Sequence, residues 1–223
     1  MIFMILPRTN SSSYLKLAAM KNILLFLIFG FTPIFIMAQE QMETAASVGL
    51  GKFKRLGLLQ HSKENLFTAA DTTNLQLGNP IQTAIVPIDK LKQYKEGQPA
   101  SSFITDIDEY VYPVVNGQSK RLSGTMTLAK VNARWSAIRV NAENLILQDS
   151  TSKFISQGSI RYKLVKILAF HVSFLSYVES GNILFIPLME DRERELFLGK
   201  LVKAEIVLEK FVKAANDYNG LPM

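Results

Sequence analysis

The 223-residue sequence has no cysteine, two histidines and one tryptophan. The missing cysteine excludes disulfides, thiolate metal sites, a Cys nucleophile and a lipid-modified Cys. His61 and His171 each stand alone, with no second ligand at metal-binding spacing, and read as structural. The nucleophile motif G-x-S-x-G is missing. Ser150-Thr151-Ser152-Lys153 has S-x-x-K spacing but lacks the Ser-Asp-Asn and Lys-Thr-Gly elements that accompany it in enzymes. The run Gly49-Leu50-Gly51-Lys52 has neither the spacing nor the Ser/Thr of a phosphate-binding loop. Asp106, Asp108 and Glu109 lack the Gly and distal Glu of a calcium loop, so they read as a solvated loop before a strand. Lys and Arg are not gathered on one run or face, which argues against nucleic acid as a partner. No cofactor or metal is implied.

What the chain does contain begins with a leader. Lys16 and Lys21 precede an uncharged run from Ile23 to Ala38, and the polar Gln39-Glu40-Gln41 follows. A basic flank, an apolar core and a small residue before a polar stretch are the parts of a secretory signal. The apolar run is shorter than the ~20 residues of a comfortable membrane span, and Pro33 interrupts it. The alternative is an uncleaved anchor, which would make the protein a membrane-tethered subunit. Met20-Lys21-Asn22 would itself open an ordinary signal, so residues 1–19 read as an over-extended start. Cleavage after Ala38 removes Arg8, Lys16 and Lys21 and no acid, which lowers the net charge from +6 to +3. That balance concerns solubility.

The clearest folded pattern is Glu109–Val140, which reads as a three-stranded antiparallel meander. Tyr110–Val115 is apolar and ends at Asn116-Gly117, the expected site of a type I′ hairpin turn. Beyond it Leu122, Gly124, Met126 and Leu128 alternate with Arg121, Ser123, Thr125 and Thr127, so one face is expected to be buried and the other wet. A second turn is expected around Asn132, then a strand through Trp135, Ile138 and Val140. Pro113 cannot donate to a ladder, which places its strand at an edge or a bulge. Elsewhere, Gly49, Gly51 and Gly57 argue against a firm helix in 42–59, and Ser62 is placed to cap a short one. Asp89 caps KLKQY, and Asn141 caps a helix through Leu145. Ile160–Val178 is one bent strand or two, and Glu190–Glu195 is a wet charged turn. Gly199–Ala215 is a core-facing helix, with Leu201, Ala204, Leu208, Phe211 and Ala215 on its apolar stripe.

The expected organisation is a signal at 1–38, a helical lead-in at 39–78, and two α+β halves at 79–150 and 151–223. The halves show a weak internal likeness. Apolar strands precede Tyr112-Pro113 in one and Ile186-Pro187 in the other, and a polar turn and then a glycine (Gly124, Gly199) follow each. The fold class is α+β, an antiparallel meander sheet with helices on one face. The function read from this is an exported, non-enzymatic binding or accessory protein of the bacterial envelope (periplasmic, envelope-bound or secreted). Its partner is an envelope protein or a small apolar ligand. The rival is a hydrolase of envelope or extracellular polymers using a carboxylate pair. The expected binding residues are Tyr112, Pro113, Thr125, Thr127, Trp135 and Pro187, and Thr125→Glu is expected to leave folding intact. Export carries its own test. N-terminal sequencing of the mature protein is expected to start at Gln39, and a chain starting at Met1 or Met20 would establish the anchor instead.

Overall fold

Alternating and β-branched segments between residues 75 and 203 assemble into one mixed sheet. The computed structural model describes residues 39–55, 74–119, 122–141, 160–218 and 220. The leader, the Ser62 segment and the segment expected to follow Asn141 as a helix lie outside the described residues. The chain divides into two units, Met1–Glu43 and Thr44–Met223. In the first, residues 39–43 are helical, and Gln39 Nε2 donates to Glu43 Oε1 across one turn (3.0 Å).

The second unit holds strands β1 (Leu75–Leu77), β2 (Ile81–Ile85), β3 (Thr105–Asn116), β4 (Leu122–Val131) and β5 (Arg134–Asn141). They are followed by β6 (Lys163–Ile167), β7 (Val172–Glu179), β8 (Asn182–Pro187) and β9 (Val202–Lys203). The sheet order is β5-β4-β3-β2-β6-β7-β8-β9, with β1 pairing beyond β2 on β3. All neighbours are antiparallel except β2 and β6, which run parallel at the centre. Both halves of the chain therefore feed one sheet. Among the described residues, three helices pack on it: α1 (44–55), α2 (Ile88–Leu91) and α3 (Ala204–Asp217). The α+β reading holds.

The meander β3-β4-β5 is present, but its turns differ from expectation. Asn132 and Ala133 both have positive φ (49° and 62°) and close the two-residue turn between Val131 and Arg134. That is the type I′ position. Neither Asn116 nor Gly117 has positive φ. Instead the Asn116 side chain accepts the backbone N–H groups of Gln118 and Ser119 (2.9 and 3.0 Å), an Asx turn opening a longer loop. Pro113 is at no edge, because β3 lies inside the sheet. It falls opposite the break between β1 and β2, where no donor is required of it, and its carbonyl accepts from Gly78 N (2.7 Å). The ladder slips one pair later, between Val114 and Val115.

Other expectations also shift. Residues 44–55 are helical despite two glycines, and Gly49 has a packing reason: a Cβ there would overlap Met126 Sδ and lie 2.9 Å from Ala137 Cβ. Close approach of backbone to sheet outweighs helix propensity. Asp89 lies in the first turn of α2 and Pro87 is its N-cap. Ile160–Val178 resolves into two strands, divided by a 3-10 turn at Leu168–Phe170 and by His171 in the left-handed region (φ 54°). Asp106, Asp108 and Glu109 belong to β3 itself, not to a loop before it.

The main core joins β2, β6, β7 and β8 to α2 and α3 through Ala84, Leu91, Val165, Phe174, Phe185, Leu208 and Phe211. Phe174 and Phe185 stack at 4.9 Å. The buried stripe of α3 is Ala204, Val207, Leu208, Phe211 and Ala215. Leu201 is exposed, because Val202 and Lys203 first pair with β8 and the helix starts only afterwards. The charged turn at 190–195 is less wet than expected. Arg194 Nη1 donates to Asp191 Oδ2 (2.7 Å), both side chains are largely buried, and the guanidinium lies 4.8 Å from the Phe211 ring centre. A cation over an aromatic face outweighs hydration here. Lys210 of α3 donates to Glu195 Oε2 (2.7 Å), which holds the Glu195 carboxyl below the ordinary range. Phe211 thus anchors both helix and turn. Phe211→Ala is expected to cost about 3–5 kcal/mol of unfolding free energy. An unchanged urea midpoint would show that α3 does not depend on this contact.

Candidate functional site

Small residues on β2 let long side chains meet across it. Thr83 and Ala84 are fully buried, with β3 on one side and β6 on the other. Lys163 Nζ reaches over β2 to both carboxylate oxygens of Asp106 (2.7 Å each). Lys166 Nζ donates to Glu109 Oε1 (2.6 Å). Lys163 and Lys166 are three residues apart on one strand, so the two pairs lie on opposite faces of the sheet. The Lys163–Asp106 pair is near half exposed and contributes little. The Lys166–Glu109 side chains keep only 19% and 18% exposure.

This less exposed pair lies beside a cavity of about 370 Å³. Its walls include Ile81, Val111, Leu164, Leu175 and Leu188, with Thr125, Thr127 and Arg139 towards β5 and His171 at the β6–β7 turn. A mostly apolar pocket of this size with a few convergent polar groups has the usual form of a small-molecule site. The register explains the lining. Arg139 pairs with Thr127, Thr127 with Val111, and Val111 with Ile81, so these four form one row across β5, β4, β3 and β2. Leu164 pairs with Leu175 and Lys166 with Ser173 farther along the same face. Residues one position away, including Met126, Val165 and Phe174, point to the opposite face.

Of the six residues expected to bind, Thr125 and Thr127 line this cavity. Neither is on a wet face: they are 2% and 6% exposed. Thr125→Glu would bury a carboxylate and therefore does not spare folding as expected. Pro113 is the register partner of Thr125, but it packs against Gly78. Tyr112, the partner of Met126, faces away from the cavity. Trp135 is half-buried and meets Tyr110 edge-on at 5.5 Å. Pro187 is the buried last residue of β8. The structure does not bring these six together.

Glu109, Lys166 and Arg139 were not singled out from sequence as a site. Their signal was weak. Lys166 interrupts an apolar strand, where a charge needs a partner, but the partner is 57 residues away. Glu109 is the one acid among the described residues that line the cavity. Among the described residues, no group of three or more His, Asp or Glu is placed to hold a metal ion. Nor is any helix among them long and apolar enough to cross a membrane. Comparison with protein-family models, curated proteins and solved structures finds no match for this chain.

The ion pair can be tested by its coupling. Glu109→Gln leaves a shielded ammonium without its carboxylate and is expected to cost about 1.5–3 kcal/mol. Combining Glu109→Leu with Lys166→Met is expected to cost clearly less than the sum of the two single changes. Strict additivity in urea unfolding would show that the two charges do not stabilise one another.

Proposed function

We propose that this protein is an exported, non-enzymatic binding protein of a bacterial envelope, and that its ligand is a small, largely apolar molecule. In this reading the sheet works as a one-sided platform. The described helices collect on the face that carries Val165, Phe174 and Met126, and the cavity lies on the other. The observation that supports it is the 370 Å³ cavity, where seven aliphatic residues among those described share the lining with a neutralised ion pair. An apolar wall offers favourable desolvation to a ligand, and few fixed charges demand a matching group from it. Export comes from the leader composition alone.

The hydrolase alternative asks for two carboxylates facing one substrate. Among the described residues that line the cavity Glu109 is the only acid, and Lys166 already holds it at 2.6 Å. That favours binding over hydrolysis at this place.

The test is direct. Protein purified without detergent is denatured, and the released small molecules are identified by mass spectrometry. An apolar compound in near-stoichiometric amount is expected. Leu164→Trp, which fills the cavity from its β6 wall, is expected to fold with an unchanged circular dichroism spectrum and to lose that compound. A wild type that releases nothing and binds no apolar probe would overturn the reading.

A further inference from the structure

The cavity is built with its charges unequally spent, and this specifies the ligand further. The inference rests on the cavity being a ligand seat. Among the described residues, two cationic side chains, Lys166 and Arg139, and one anionic one, Glu109, line it. Lys166 and Glu109 neutralise each other at 2.6 Å. Arg139 takes part in none of the ion pairs between described residues. Among the described lining residues one positive charge is therefore left over, that of the exposed Arg139 at one end of the lining. Arg139 sits on β5, the last strand of the sheet, and closes the row Arg139–Thr127–Val111–Ile81. The lining continues through Leu164 on β6 and Leu175 on β7.

From β5 to β7 the lining crosses six neighbouring strands, a span of about 24 Å at the usual strand spacing. A volume of about 370 Å³ spread over that span makes a narrow trough. Such a trough suits an extended chain better than a compact ring system.

We propose that the cavity binds a linear anionic amphiphile with a terminal carboxylate, a medium-chain fatty acid by chemical class. The carboxylate sits on the Arg139 guanidinium, whose fork of N–H donors matches two carboxylate oxygens. The hydroxyl of Thr127, its register partner, is the nearest neutral donor in the row. The hydrocarbon chain lies along Val111 and Ile81, towards Leu164. A cationic amphiphile is disfavoured, because Glu109 already has its counter-ion and Arg139 would repel a second positive charge. A neutral alcohol would gain the apolar wall but not the charge-assisted bonds.

Titration calorimetry of the ligand-stripped full chain with decanoate, 1-decanol and decylammonium tests this. Decanoate is expected to bind about tenfold or more tighter than 1-decanol, since a charge-assisted hydrogen bond is at stake. Decylammonium is expected to be weakest. Arg139→Gln is expected to bring decanoate down to the level of 1-decanol, and Arg139→Lys is expected to keep most of the preference. Equal wild-type affinity for decanoate and decanol would overturn the carboxylate assignment alone. So would a preference that survives in Arg139→Gln. Absence of binding by all three probes would overturn the cavity as a seat for such chains, and the assignment with it.

Discussion

The fold depends on one short strand. β2 has five residues, yet it is hydrogen-bonded on both sides, antiparallel to β3 and parallel to β6. Each half of the chain contributes its own antiparallel run, and β2 with β6 is the seam where the runs join. A strand buried on both faces has to be apolar or small, and Ile81, Thr83, Ala84 and Ile85 meet that condition. Smallness has a second consequence. Because Thr83 and Ala84 project little, lysines on β6 can cross the strand to acids on β3. The seam is thus joined by backbone hydrogen bonds and by one ion pair on each face.

The same seam positions the candidate site. A parallel join brings Leu164 and Lys166 beside Ile81 and Glu109, residues from distant parts of the chain. The register of the antiparallel neighbours then sets which side chains follow: Val111, Thr127 and Arg139 on one side, Leu175 and Ser173 on the other. A one-residue slip in any ladder would send these side chains to the opposite face. The bulges and turns that hold register, including the Asn132-Ala133 turn, therefore bear on the site without touching it.

The other face owes its cover to α3 and the charged turn before it. Phe211 lies under Arg194, and Lys210 ties down Glu195, so the 190–196 segment and the helix hold one another. Long cationic side chains bury their stems and can be drawn onto aromatic rings, which reverses the simple rule that a run of alternating charge is a solvated turn.

Much of the architecture was legible in the chain itself, because it follows from local periodicity. Alternation along 122–128, the β-branched runs at 81–85 and 110–115, and the 3.6-residue stripe through Leu208 and Phe211 each demand one kind of element. So α+β, the meander and the last helix could be read directly. Local pattern could not tell that Thr125 and Thr127 would be buried, since a polar face on an alternating strand is wet only if nothing packs on it. It could not place Pro113 opposite the break between β1 and β2, nor show that Gly49 is needed where α1 meets Met126. It could not pair Glu109 with Lys166 or set Arg139 at the end of an apolar row. Those facts depend on which strands become neighbours and in what register. That choice is made by backbone pairing and burial summed over the whole sheet, and no short stretch of sequence contains it.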